Sequence, residues 1–181
     1  MAGYLDDLVE QNRRALVELN SLIERLSDSD FVAPADPCHG SSIGQQARHI
    51  IEHGEAVVAA VDGDADYHHR SRDRATERSR AHAGRRLQRL MYALAELAGT
   101  VDGDPPITVR YAVADPSEPA EASLASSLGR ELMFLQSHTI HHMALIGIMA
   151  RLQGVTVPTG FGVAPSTRRY WAEQESARHT G

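Results

Sequence analysis

The stretch Ser137-His138-Thr139-Ile140-His141-His142-Met143 lies inside an otherwise apolar run from about Ser126 to Gln153, and its reading decides the fold. The spacing predicts an α-helix over 126–153, with Gly154 as its stop. On such a helix His138 and His142 project from one face, one turn apart. Leu135, Leu145 and Met149 share that face, and Glu131 lies two turns earlier. Imidazoles with apolar neighbours sit in a core or in a pocket cut into it. There both ring nitrogens need partners, because an unsatisfied buried polar group costs about 1–3 kcal/mol. A metal ion removes the difficulty by taking one nitrogen of each ring. His141 is rotated by roughly 60° from His138 and reads as an outer hydrogen-bonding group.

A second pair with the same spacing, His49 and His53, lies in Ser42-Ile43-Gly44-Gln45-Gln46-Ala47-Arg48-His49-Ile50-Ile51-Glu52-His53. Ser42 followed by Gln45 resembles a capping box, so a helix is expected from 42 to about 61, closed by Asp62-Gly63-Asp64. His49 and His53 share a face with Gln45, Gln46, Ala56 and Ala60, a small polar wall able to orient a ligand ring. Two further helices are expected. One covers 4–26, with Leu5, Leu8, Leu16, Leu19, Leu22, Ile23 and Leu26 at helical spacing. The other covers 73–98, with Leu87, Leu90, Met91, Leu94 and Leu97 as its stripe. Ile107 to Val113 alternates enough for a short strand or hairpin arm, 115–120 reads as loop, and the tail 155–181 ends with a short helix over 166–173. The expectation is one all-α domain over 1–181: a four-helix bundle with a long, partly extended connection between the third and fourth helices.

Composition narrows the function classes. The chain has 181 residues, 42% hydrophobic and 23% charged, which suits an ordinary globular protein. A net charge of −6 argues against binding a nucleic-acid backbone. The arginines from Arg70 to Arg89, interleaved with Asp73 and Glu77, read as a solvated helix face. Cys38 is the single cysteine, so no disulfide forms within the chain. Neither a secretory signal nor a membrane span is read, and a cytoplasmic location is expected.

The two histidine pairs imply a three-ligand site in which one pair contributes one ring and the other contributes two. Neutral imidazoles suit Zn²⁺, Ni²⁺, Cu²⁺ or Fe²⁺, and three protein ligands leave positions open for water or substrate. Geometry alone leaves His49 and His53 as alternatives.

Arg48-His49-Ile50-Ile51-Glu52-His53 and Ser137-His138-Thr139-Ile140-His141-His142 together resemble the DinB-like (DinB/YfiT-like) superfamily over nearly the whole chain. That resemblance implies one ligand from the second helix and two from the fourth, at His49, His138 and His142, with His53, His141 and Gln45 as neighbours or alternates. Relatives of this type include mycothiol-dependent maleylpyruvate isomerase, thiol S-transferases and the helical domain of iron sulfoxide synthases. The resemblance therefore implies Zn²⁺ or Ni²⁺, with Fe²⁺ a further option, and a low-molecular-weight thiol as a second cofactor. Tyr67-His68-His69-Arg70 and Phe161 to Thr167 look like marks of a subgroup without an assigned reaction.

Two functions follow as expectations. The first is a metal-dependent hydrolase or thiol S-transferase acting on a small molecule, with Glu131 as candidate base and Arg48, Arg110 and His39 as candidate anion contacts. The second is a non-catalytic, stress-related metal- or ligand-binding protein whose site is closed by a fourth ligand such as His53 or Cys38. A homodimer is expected in either case.

Overall fold

The computed structural model describes residues 3–101, 103–112 and 121–179. Its elements, in chain order, are α1 (Tyr4–Arg25), α2 (Asp28–Val32), β1 (Pro34–Ala35), β2 (Ser41–Ser42), α3 (Ile43–Ala59), β3 (Asp64–Asp66), α4 (Arg74–Arg78), α5 (Arg80–Leu97), β4 (Pro106–Ala112), β5 (Glu121–Ser127), α6 (Leu128–Leu152) and α7 (Pro165–His179). Helix dominates, as the periodicity predicted. Four long helices carry the core: α1 packs on α5 and α6, and α3 packs on the same two. Leu16, Leu19, Leu22 and Ile23 of α1 meet Ile43, Ile50, Ile51 and Val57 of α3. Leu87 and Leu94 of α5, and Leu132, Leu135, Met143, Ile146 and Met149 of α6, complete one continuous apolar cluster. Non-directional burial of this kind, about 25 cal/mol per Å² of apolar surface, is the main favourable term in such a fold.

The helix starts follow local chemistry. Ser42 Oγ accepts the Gln45 backbone N–H at 3.2 Å, while Gln45 Oε1 accepts the Ser42 N–H at 3.1 Å, the reciprocal box read from the sequence. Gly154, with φ +78°, ends α6 in the left-handed region that favours glycine.

Four expectations change. The helix expected over 73–98 is two helices. Ser79 is extended (φ −128°, ψ 108°) and its hydroxyl accepts the His82 N–H, while Asp73 caps α4 by accepting the Ala75 N–H. The last helix begins at Leu128 rather than 126, because Ser126 and Ser127 close β5 and Ser127 caps α6. The expected strand is present as β4, in a three-stranded sheet: β3 pairs parallel to it (Ala65 opposite Val109) and β5 antiparallel (Thr108 opposite Ala125). The tail helix is longer than expected, and α2 adds a short helix between the first two that were expected. The loop expected at 115–120 lies outside the described residues.

The arginine stretch is not uniformly a solvated face. Arg86 is buried, with its guanidinium on Glu55, on Thr76 Oγ1 (2.7 Å) and on Asp73 (3.3 Å). Arg70 also turns inward. Among the described residues, no helix is long and apolar enough to cross a membrane.

Candidate metal centre

The α3–α6 contact brings both histidine pairs to one place. The His49 ring lies 4.2 Å from His53, 4.9 Å from His138 and 4.3 Å from His142, centroid to centroid, and His138 lies 4.3 Å from His53 and 4.5 Å from His142. The Nε2 atoms of His49 and His138 face each other at 2.8 Å. One ring nitrogen each from His49, His53 and His138 fall within 4.8 Å of one another. Bonds from zinc to imidazole nitrogen are about 2.0–2.1 Å, which sets ligand nitrogens on one ion roughly 3 Å apart. The cluster is therefore compatible with a divalent metal.

Hydrogen bonds decide which nitrogen of each ring is available. His53 Nδ1 donates to the His49 carbonyl at 2.9 Å, leaving its Nε2 with a lone pair. His142 Nδ1 donates to Gln46 Oε1 at 2.5 Å, again freeing Nε2, and Gln46 is anchored at its other end by donating to Ser41 Oγ at 2.8 Å. An outer acceptor fixing the tautomer is what metal-ligating histidines ordinarily have. His49 differs. Its Nδ1 accepts from Arg70 Nη1 at 2.9 Å, so the neutral ring carries its proton on Nε2.

Burial is the first cause holding every one of these rings neutral, and neighbouring histidines add to it. His49 is pushed down to about 2, His142 to about 3 and His53 to about 4. Burial and the nearby His141 and Arg70 likewise push His138 below the ordinary imidazole value. A set of neutral imidazoles collected in one half-buried spot is a donor set for a soft-to-borderline cation.

Residues 66–73 form the outer wall. Tyr67 stacks on His53 (5.3 Å, 22° between planes), and Phe134 stacks on His138 (5.3 Å, 21°). Tyr67 donates its hydroxyl to Glu131 at 2.7 Å. The segment is pinned to α3 by the buried Glu52, whose Oε1 accepts from Ser71 Oγ and from the Asp73 N–H.

The remaining residues singled out from the sequence sit as follows. Glu131 is fully buried, and its oxygens accept from Tyr67, Ser126 and Arg130. Burial alone would raise its carboxyl, but those three hydrogen bonds and the Arg130 charge hold it below the usual range. Gln45 is exposed, with its side chain used in the helix cap. His141 is exposed and meets His142 edge to face at 5.0 Å. Arg48 pairs with Glu77 at 3.4 Å and Arg110 with Asp64 at 2.6 Å. Sequence reasoning noted Tyr67 and Arg70 only as marks of a subgroup, read Arg70 as part of a solvated face, and passed over Phe134. Nothing in their local spacing signals that they turn toward the histidines, because that depends on how residues 66–73 fold back on α3.

A family model described as the DinB family matches residues 1–164. A curated protein, FK506-binding protein 5 of Rhizopus delemar, is 33% identical over 109 residues, which is 60% of this chain and 28% of that protein. The match thus spans under a third of that relative's length. No solved structure matches.

Proposed function

The chain belongs to the DinB family, and from that premise we propose that it is a metal-dependent enzyme whose four long helices form a bundle around an all-histidine centre. His49, His138 and His142 are the proposed ligands, with His53 the imidazole in reach as an alternate. Zn²⁺ or Ni²⁺ suits the donor set best, and Fe²⁺ is also accommodated by imidazole. The observation that carries the reading is the convergence of His49 and His138 through their Nε2 atoms at 2.8 Å.

A divalent ion held by these imidazoles would lower the pKa of a bound water or thiol and so supply a nucleophile at neutral pH for hydrolysis or S-transfer. The chain's own groups do the rest. Gln46 fixes the His142 tautomer, and Tyr67 and Phe134 shield His53 and His138 from solvent. Glu131 positions Tyr67 rather than acting as a base, since its oxygens already accept three hydrogen bonds. Arg70 brings a guanidinium to the cluster, suited to a substrate carboxylate. A pocket of about 450 Å³ whose lining includes Val109, Leu124, Arg130 and Glu131 is large enough for a small molecule, and Glu131, which also accepts from Tyr67, is its link to the histidine cluster.

The fourth imidazole supports a second reading. With His53 also bound, four nitrogens would close a tetrahedral site, as in a non-catalytic metal-binding protein.

The test uses untagged protein. Bound metal is measured by plasma mass spectrometry, its coordination number by X-ray absorption, and turnover by screening thiols against electrophilic and ester substrates. One ion per chain that is lost in the His138→Ala/His142→Ala variant relative to wild type, with three imidazoles bound and thiol- or water-dependent turnover, supports the enzyme. Four bound imidazoles and no turnover support the second reading. A wild-type protein that takes up no Zn²⁺, Ni²⁺ or Fe²⁺ overturns both.

A further inference from the structure

The segment Tyr67-His68-His69-Arg70 points two ways. Tyr67 and Arg70 turn toward the buried histidines, whereas His68 and His69 turn toward the first residue of β5. Asp66 Oδ1 accepts the backbone N–H of both His68 and His69 at 2.9 Å, and Asp66 Oδ2 takes His69 Nδ1 at 3.0 Å. A carboxylate only accepts, so the proton of a neutral His69 sits on Nδ1 and its Nε2 presents a lone pair. That Nε2 lies 3.3 Å from Glu121 Oε1, and His68 Nε2 lies 3.9 Å from the same oxygen.

Two acceptors that face each other at 3.3 Å are satisfied only when a proton or a metal cation lies between them. The same carboxylate–histidine relay, outer carboxylate to Nδ1 and metal on Nε2, orients ligands in metal sites generally. The three ligand atoms fall within 4.8 Å of one another. From this geometry we infer that His68, His69 and Glu121 form a second, surface site for a borderline divalent cation of the Zn²⁺ or Ni²⁺ class, with Asp66 as the positioning residue. Two imidazoles and one carboxylate match the ligand preferences of those ions. The site is open to solvent: the His69 and Glu121 side chains are 61% and 51% exposed. It ties the loop after β3 to the start of β5.

The test is equilibrium dialysis of the untagged full chain against saturating Zn²⁺, with the ions counted by plasma mass spectrometry. The His68→Ala/His69→Ala variant, altered only at partly exposed side chains and checked for fold by circular dichroism, is expected to carry one ion fewer per chain than wild type. Asp66→Asn is expected to weaken that one ion by about 10–100-fold. Equal Zn²⁺ content in wild type and the double variant overturns the inference and leaves a protonated His69 as the cation that Glu121 faces. The buried centre fails independently. If it held nothing, wild type would carry one ion and the double variant none.

Discussion

The two histidine clusters of this chain use one residue type in opposite surroundings. In the buried cluster, four rings from α3 and α6 face one another. Among the described residues their hydrogen-bond partners are a carbonyl, an amide, a guanidinium and each other, with no carboxylate. At the edge of the small sheet, His68 and His69 sit between Asp66 and Glu121. Burial strips the first cluster of water and drives its rings neutral, whereas the second keeps solvent and two negative charges. As proposed ligand sets, the first rests on the packing of two long helices and the second on three side-chain contacts at a sheet edge. The first should be coupled to folding and the second should be separable from it.

The largest effect expected of that contrast is on stability. An ion bound at a hundredfold excess over its dissociation constant adds about 2.7 kcal/mol. At roughly 2–4 °C per kcal/mol for a chain of this size, chelation should lower the melting temperature by about 5–10 °C. His138→Ala/His142→Ala should lose most of this chelator response, while His68→Ala/His69→Ala keeps most of it. Thermal scans with and without EDTA measure both. A response that followed the edge pair instead would invert the comparison.

Acid should separate the clusters next. Unfolded imidazoles titrate near 6.5, above the folded values of about 4 for His53, about 3 for His142 and about 2 for His49. The unfolded chain thus takes up protons first. Stability of the chelated protein is full above about pH 6.5 and falls progressively as the pH drops toward those folded values. The limit is about 1.4 kcal/mol per pH unit for each excess proton, less here because three of the rings are only half-buried. Urea midpoints at pH 8, 6 and 5 read the slope. His49→Ala/His142→Ala should flatten it and the edge pair should leave it nearly unchanged. A slope indifferent to the buried rings would mean that they are not held neutral.

A smaller effect concerns orientation. Gln46 contributes the oxygen that accepts from His142 Nδ1. Gln46→Leu removes the acceptor while keeping the bulk, and metal affinity at the buried centre should fall by about 10–100-fold, read by competition with a zinc-chelating dye. Gln45→Leu, one residue away in the helix cap, should leave that affinity alone. Equal losses from both would assign the effect to the helix start.

Much of this was legible in the sequence because it depends on short-range spacing. The four-residue interval puts His138 and His142 on one face whatever surrounds them, and Ser42 with Gln45 closes its box within a single turn. What the spacing could not reveal lies in contacts between distant segments. The break at Ser79 divides a stretch with unbroken helical propensity, because Asp73 and Ser79 each find a backbone N–H to cap. Arg70 reads as one of many solvated arginines until Glu52 pins Ser71 and Asp73 to α3. β5 carries Ser123, Ala125 and Ser127, too small and polar for an apolar alternation, and becomes a strand by pairing with β4.

Arg70 sets the finest distinction between the clusters. Its Nη1 lies 2.9 Å from His49 Nδ1 and 3.3 Å from His53 Nδ1, and through the shorter contact it selects the His49 tautomer with the proton on Nε2. Coordination through Nε2 requires the other tautomer, so a metal and the Arg70 hydrogen bond compete for the same ring. Arg70→Met keeps the apolar stem and removes both the competitor and a positive charge beside the centre. A hydrogen bond from a charged donor is worth about 1.5–3 kcal/mol, and the partly solvated position of Arg70 places the gain at the low end, about tenfold in affinity. Because the shorter contact is to His49 and His53 Nδ1 already donates to the His49 carbonyl, most of the gain should vanish in a His49→Ala background, where His53 would have to serve. A double-mutant cycle on Zn²⁺ affinity reads this directly. Tighter binding that survives loss of His49 would reduce Arg70 to a nearby charge. Weaker binding in Arg70→Met would make the arginine a support of the centre, and the tautomer competition would have to be abandoned.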